Sequence, residues 1–264
     1  MSDAILLSVS EGMARLTLNR PSRLNAFNAD LAHAWRDATI EATTRDDVGA
    51  ILVDAAGPAF CAGGDVLDMA STMGSGADIT ALAEVINSGI RALVESDVPV
   101  VTAAHGTTAG GGLGILLSGD YAVVGSRSKL GSLYANIGLT PDLSVSAQLA
   151  RAVGERRALQ LVLQDRLLSA QEALDWGLVA EIAEGADAAD EAQRVRARAE
   201  EIARFWLAGA AAAYGQAKRL VRSQPSRTFA EQLSEEARSI GASFDTADAK
   251  ARVAGFAAAS AKRG

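Results

Sequence analysis

Apolar and polar positions alternate along the first two thirds of the chain in short blocks of two kinds. Ile5–Val9 and Ala14–Leu18 carry the two-residue period of half-buried strands, and Glu11–Gly12 between them has the composition of a tight turn. Ala50–Asp54, Val98–Ala104 and Tyr121–Val124 are continuous apolar runs, the pattern of strands buried on both faces. Pro99 sits at the start of the second of these, where a missing N–H is tolerated. Between the runs lie segments of helical period: Asn28–Thr43 with Asn28 as N-cap, Ile79–Val94 and Gln148–Leu163. Strand alternating with helix predicts an α/β architecture. Beyond Gly185–Glu191, a small acidic stretch that reads as a surface connection, the pattern is helical throughout: Gln193–Ala213, Tyr214–Arg222, Thr228–Phe244 and Ala247–Ala261. No strand pattern follows about Ile182, so an α/β core over residues 1–192 and a helical region over 193–264 are expected.

Composition narrows the function classes. The chain has 264 residues, 49% of them hydrophobic and 22% charged, an ordinary globular balance. Twenty-five basic against 32 acidic residues give a net charge of −7, which argues against a nucleic-acid partner, whose footprint is a basic face. A single cysteine, Cys61, forbids an internal disulfide and fits a reducing compartment. The first dozen residues lack the basic-then-apolar pattern of a signal peptide, and no apolar run reaches the length of a membrane span, so a cytoplasmic setting is expected. With only His33 and His105, a histidine-rich metal site is excluded. His33 falls in a helical pattern and reads as a surface residue; His105 ends a strand and reads as structural.

Two glycine turns carry the candidate chemistry. Phe60-Cys61-Ala62-Gly63-Gly64-Asp65 follows the strand at Ala50–Asp54, and Ala109-Gly110-Gly111-Gly112-Leu113-Gly114 follows the strand at Val98–Ala104. Glycine permits positive φ and close backbone approach, and a helix start presents free N–H donors. Two such turns can aim two N–H groups at one carbonyl oxygen, which is an oxyanion hole. A dinucleotide site is a poorer fit, because Ile115 stands where the last glycine of G-x-G-x-x-G belongs. Neither a Walker A sequence nor a G-x-S-x-G elbow occurs. Asp142, in Pro141-Asp142-Leu143-Ser144, fits a helix N-cap or a catalytic carboxylate, and Arg23 fits a phosphate-binding or a plain surface arginine. Asp68 and Asp120 are weaker carboxylate candidates, and Cys61 reads as a packing residue.

The ordered set of motifs resembles the enoyl-CoA hydratase/isomerase (crotonase) family. The resemblance runs through Leu18-Asn19-Arg20-Pro21, Leu24-Asn25-Ala26, the Phe60–Asp65 and Ala109–Gly112 turns and Ser118-Gly119-Asp120-Tyr121-Ala122. It continues through Ile137–Pro141, Leu149–Gly154, Leu168-Ser169-Ala170, Glu172-Ala173 and Trp176–Val179. It implies a spiral of ββα units with a helical C-terminal region, assembling as a trimer or a dimer of trimers. It assigns the Gly64 and Gly111 N–H groups to the oxyanion hole, and the coenzyme A of the substrate to the neighbourhood of Arg23, Leu24, Ala26, Ala62, Gly63, Asp65 and Val66. No separate cofactor and no metal is implied. Family hydratases carry two glutamates, at positions that here are Gly114 and Tyr134; Tyr134 is expected to shape the acyl pocket instead. Asp142 matches the single catalytic aspartate of the enoyl-CoA isomerases of the phenylacetate pathway, the most similar branch. The expected reaction is therefore a 3-enoyl-CoA to 2-enoyl-CoA shift with Asp142 as proton shuttle. A hydratase, a dehalogenase- or hydrolase-like enzyme with Asp142 as nucleophile, and a non-catalytic acyl-CoA-binding protein are the alternatives. The helices after Gln193, with Phe205, Trp206, Leu207 and Phe244, are expected to join subunits and help close the CoA site, with Phe256 and Lys262 near CoA.

Overall fold

The computed structural model describes residues 3–164 and 166–261; Lys262 lies outside them. β1 (Ile5–Ser10) and β2 (Met13–Leu18) form an antiparallel hairpin whose turn, Glu11 and Gly12, has φ of 52° and 81°. The chain continues through α1 (Ala29–Thr44), β3 (Ala50–Ala55), α2 (Val66–Thr72), α3 (Gly76–Glu95), β4 (Val100–Ala104), β5 (Thr107–Ala109), α4 (Gly111–Leu117), β6 (Tyr121–Gly125) and β7 (Lys129–Gly131). It then runs through α5 (Val145–Val153), α6 (Glu155–Val162), β8 (Leu168–Ser169), α7 (Ala170–Trp176) and β9 (Glu181–Ala183). Four helices end it: α8 (Ala188–Ala208), α9 (Ala211–Ser223), α10 (Phe229–Phe244) and α11 (Ala247–Ala261).

The large sheet has the order β1-β2-β3-β4-β6-β9, parallel from β2 onward. A small sheet, β5-β7-β8, lies beside it and is continued by single bridges from Cys61 to Thr108 and from Phe27 to Gly64. Each turn of the chain thus adds a strand to the large sheet and a shorter extended piece to the small one before a helix returns it, which is the ββα spiral. The continuous apolar runs are explained by burial on both faces. Ala50, Leu52, Val101, Ala103 and Val123 pack against Val195, Ala199, Ile202 and Ala203 of α8. Ile51, Val53, Val100 and Val124 face the opposite way, into the core built with α1, α3, α4 and α5.

Several boundaries differ from the sequence reading. The helical pattern Gln148–Leu163 is two helices, because Gly154 at φ 80° ends α5 and starts α6. The pattern over Gln193–Ala213 likewise breaks at Gly209, between α8 and α9. Gly185–Glu191 is not wholly a connection: Asp187 caps α8, and Glu191 is buried, accepting hydrogen bonds from Ser126 and Arg127. A division at 192/193 falls inside α8, whose burial against β3, β4 and β6 makes it part of the core. The second glycine turn follows β5, not β4 directly; a three-residue strand is too short to register as a period in sequence.

Candidate active site

Both glycine turns leave the sheets at the same end and meet. Asp65 caps α2, its Oδ1 accepting the Asp68 N–H at 3.2 Å, so Gly63 and Gly64 lie just ahead of a helix start. Gly110, at φ 52°, turns the chain from β5 into α4, and Gly111 is the first residue of that helix. The approach is close enough to require glycine: a Cβ on Gly112 would stand 2.2 Å from the Cys61 carbonyl oxygen. A Cβ on Gly63 would stand 3.3 Å from the Gly111 nitrogen, so the two turns are in contact. No backbone carbonyl among the described residues accepts the Gly64 or Gly111 N–H.

These turns form one wall of a cavity of about 500 Å³. Of the residues singled out by sequence, Ala62, Gly63, Gly64, Val66, Gly111, Tyr134 and Asp142 line it. The other walls are mainly apolar, with Phe27, Met69 of α2, Ile79, Leu82 and Ile86 of α3, and Leu139 and Leu143 of the loop before α5. The α3 residues escaped the sequence reading because a cavity-lining apolar face has the same helical period as a core-facing one. Leu24, Ala26, Arg23 and Asp65 do not line the cavity. Arg23 is half-exposed, with its Nε 3.6 Å from the Asp65 carboxylate, beside the first glycine turn. The Asp65 carboxylate itself is buried, held by the start of α2 and by Arg20 Nη2 at 3.2 Å.

Asp142 is not a helix cap. α5 begins at Val145 and is preceded by Ser144, and the Asp142 carboxylate takes no N–H of that helix. Instead, Tyr134 Oη donates to Asp142 Oδ1 at 2.5 Å, and both side chains face the cavity. The loop that turns Asp142 inward carries two successive left-handed residues, Leu143 (φ 47°) and Ser144 (φ 65°). Such conformations cost non-glycine residues about 1–3 kcal/mol each and concentrate at functional sites. Burial pushes the Asp142 carboxyl above the ordinary aspartate range, while the Tyr134 hydrogen bond pulls the other way. Burial, together with the neighbouring Asp142 charge, pushes the Tyr134 phenol up, so it stays protonated and acts as a donor.

The two positions that carry glutamates in hydratases are differently used. A Cβ on Gly114 would lie 2.1 Å from the Leu143 carbonyl oxygen, so the backbone of the Asp142 loop occupies that space. The Tyr134 hydroxyl lies 3.8 Å from where a Cβ on Gly111 would be, directly beside the second turn. Glu84 also lines the cavity, from the exposed side of α3. The remaining candidates have structural surroundings. Asp120 binds Arg222 at 2.9 Å and Lys218 at 3.3 Å. His105 is buried with Nε2 2.7 Å from the Gly57 carbonyl oxygen, and His33 is exposed on α1. The Cys61 thiol is buried and pushed up to about 12 by desolvation, which makes it a packing group and not a nucleophile.

The two glycine turns of the ββα spiral thus open onto a largely apolar cavity that the Asp142 carboxylate faces. Residues 8–262 match the profile of the enoyl-CoA hydratase/isomerase family. The chain belongs to this family. It is 32% identical over 239 residues to 1,2-epoxyphenylacetyl-CoA isomerase of Escherichia coli (strain K12), covering 89% of this chain and 88% of that protein. It is also 32% identical over 238 residues to 4-chlorobenzoyl coenzyme A dehalogenase-2 of Arthrobacter sp, covering 89% and 83% of the two chains. Among solved structures, an enoyl-CoA hydratase/isomerase family protein from Mycobacterium abscessus superposes with a TM-score of 0.87 at 30% identity, over 97% of this chain and 96% of the other. The protein is therefore an acyl-CoA enzyme of this family. No helix among the described residues is long and apolar enough to cross a membrane.

Proposed function

We propose that the protein moves a double bond in an acyl-CoA thioester, from the 3-enoyl to the conjugated 2-enoyl position. The observation that carries this reading is the part-buried Asp142 carboxylate, facing the cavity beside the Gly111 turn while the Leu143 backbone fills the space beside Gly114; the other acid at the cavity, Glu84, is exposed on α3. Hydration needs a water activated and a proton delivered to carbon, work for two groups; isomerisation needs one base that takes a proton and returns it. In this reading the Gly64 and Gly111 N–H groups hold the thioester oxygen. Asp142 removes a proton from C2, the electron pair passes through the dienolate, and the protonated Asp142 returns the proton at C4. Each oxyanion donor contributes about 3–4 kcal/mol to the transition state. The apolar walls suit a hydrocarbon or aryl acyl group. The coenzyme A of the substrate would lie outside the cavity, near Arg23, Leu24 and Ala26 and along Ala62, Gly63, Asp65 and Val66, and no further cofactor is needed. A cytoplasmic setting belongs to the same reading.

A dehalogenase-like reaction, with Asp142 attacking the substrate, is the second reading, motivated by the relatives that catalyse it. It asks for a histidine to assist hydrolysis, and neither His33 nor His105 lines the cavity. The discriminating experiment is a panel of 3-enoyl-CoA, 2-enoyl-CoA and halogenated aryl-CoA thioesters. Isomerisation faster than hydration is the expected result. Brisk hydration without isomerisation, halide release, or binding without turnover would each overturn the proposal.

A further inference from the structure

Asp142 is a flexible side chain on a loop, yet a proton shuttle between two carbons must keep one oxygen aimed at both. Burial alone does not aim a carboxylate, since rotation about its last bond exchanges the two oxygens. The only hydrogen bond that a side chain among the described residues makes to it comes from Tyr134 Oη, at Oδ1. Tyr134 itself is anchored at the start of a 3-10 turn (Ala135–Ile137), next to Leu133 in the left-handed region at φ 53°. Its ring stands among the cavity walls, with its hydroxyl beside Gly111. The hydroxyl thus sits between the second glycine turn and the carboxylate, bonded to the latter.

We propose that Tyr134 is a positioning residue: its hydroxyl pins Oδ1 of Asp142 and leaves Oδ2 as the oxygen that handles the substrate proton. This rests on the reading of Asp142 as base and adds to it a residue that touches the base. Three consequences follow from the chemistry of the pair. A hydrogen bond to the ionised carboxylate favours that form, so Tyr134 offsets part of the effect of burial and keeps the base ionised at lower pH. The phenol, held protonated, does not compete for the proton in transit. The bond is stronger to the carboxylate than to the carboxylic acid, so it also favours giving the proton back at C4. The other ionisable groups facing the pair are few. Cys61 is a neutral thiol at neutral pH, Glu84 is exposed on α3, and the cavity residues of α2 and α4 carry no charge.

The test is Tyr134→Phe, which keeps the ring and removes the hydroxyl, read in two ways. In the ligand-free protein, carbon-13 NMR of labelled aspartate follows the titration of Asp142, assigned by its loss in Asp142→Asn. The midpoint should rise by about one pH unit when the hydroxyl is removed. In the reaction, kcat should fall about ten-fold with KM within about two-fold, and the acid limb of the rate profile should move to higher pH by the same shift. An unchanged Asp142 titration would overturn the proposal, and so would a raised midpoint with unaltered kcat. The NMR arm does not depend on turnover. If the unmodified protein fails to isomerise any thioester while the midpoint still rises, the isomerase reading falls and the Tyr134–Asp142 coupling stands.

Discussion

Replacing Asp142 by asparagine separates the proposed catalytic role of this residue from its part in folding. Asparagine has the same shape, and its Oδ1 can still accept the Tyr134 hydroxyl that now binds Asp142 Oδ1 at 2.5 Å. The carboxylate caps no helix, because α5 begins three residues later at Val145, so no capping energy is lost. What disappears is the ability to take a proton. Loss of a general base typically lowers the rate by about 10²–10⁴, equivalent to about 3–5 kcal/mol of transition-state stabilisation. Stability should move the other way. Burial holds the folded carboxyl above the ordinary aspartate range, so the native state keeps the proton to higher pH than the unfolded chain. The resulting contribution to stability is complete below the unfolded value and is lost as pH rises through the folded one. Above that range the buried carboxylate is thus a net burden on the fold, which asparagine does not carry. The expected variant melts at the same temperature as the parent or slightly higher, and binds the thioester with an unchanged dissociation constant. Its conversion of 3-enoyl-CoA to 2-enoyl-CoA, followed by the absorbance of the conjugated product, is slower by at least about a hundred-fold. A variant that keeps a tenth or more of its turnover would remove Asp142 from the role of base. A large drop in melting temperature would show that the carboxylate holds the loop.

Gly114→Ala should cost about 1–3 kcal/mol and depress activity, because its Cβ would displace the Leu143 carbonyl and with it the Asp142 loop; a melting curve and a rate on the same sample check it, and a silent substitution would contradict the packing. Asp54 is 1% exposed and accepts from Arg15, Thr17 and Arg196, joining β2 and β3 to α8. Asp54→Ala should therefore lose about 3–5 kcal/mol in denaturant unfolding while leaving KM of the surviving folded fraction unchanged. Phe229, Ile240 and Phe256 are 77%, 72% and 77% exposed on α10 and α11, and we expect them to be covered between subunits of a trimer or a dimer of trimers. Sedimentation equilibrium at micromolar concentration tests this, and a stable monomer would refute it.

The parts of the site that sequence made legible are those where local chemistry leaves little choice. Asn28 caps α1 as its position suggests, accepting the Leu31 N–H at 3.1 Å, and the buried strands follow from apolar runs that have no polar face to offer solvent. The glycine turns are readable because their contact requires glycine at its closest points: a Cβ on Gly112 would meet the Cys61 carbonyl and one on Gly63 the Ala109 carbonyl. The short strands β5, β7 and β8 were not, since two or three residues carry no period. The role of Asp142 was undecidable from its own neighbourhood: Pro-Asp-Leu-Ser has the composition of a helix start, and nothing local reveals that Leu143 and Ser144 both turn left-handed. The loop is packed against a residue far along the chain: a Cβ on Gly114 would stand 2.1 Å from the Leu143 carbonyl oxygen, so only glycine there leaves room for the backbone beside Asp142. Tyr134, at the other hydratase position, meets that carboxylate with a hydroxyl. The two departures from the hydratase pattern, Gly114 and Tyr134, thus both meet the Asp142 loop, one at the Leu143 backbone and the other at the carboxylate. Gly114→Glu is therefore expected to confer no hydration of 2-enoyl-CoA, because its Cβ would collide with the Leu143 carbonyl; a hydration assay on the folded variant checks this, and brisk hydration would refute the packing argument.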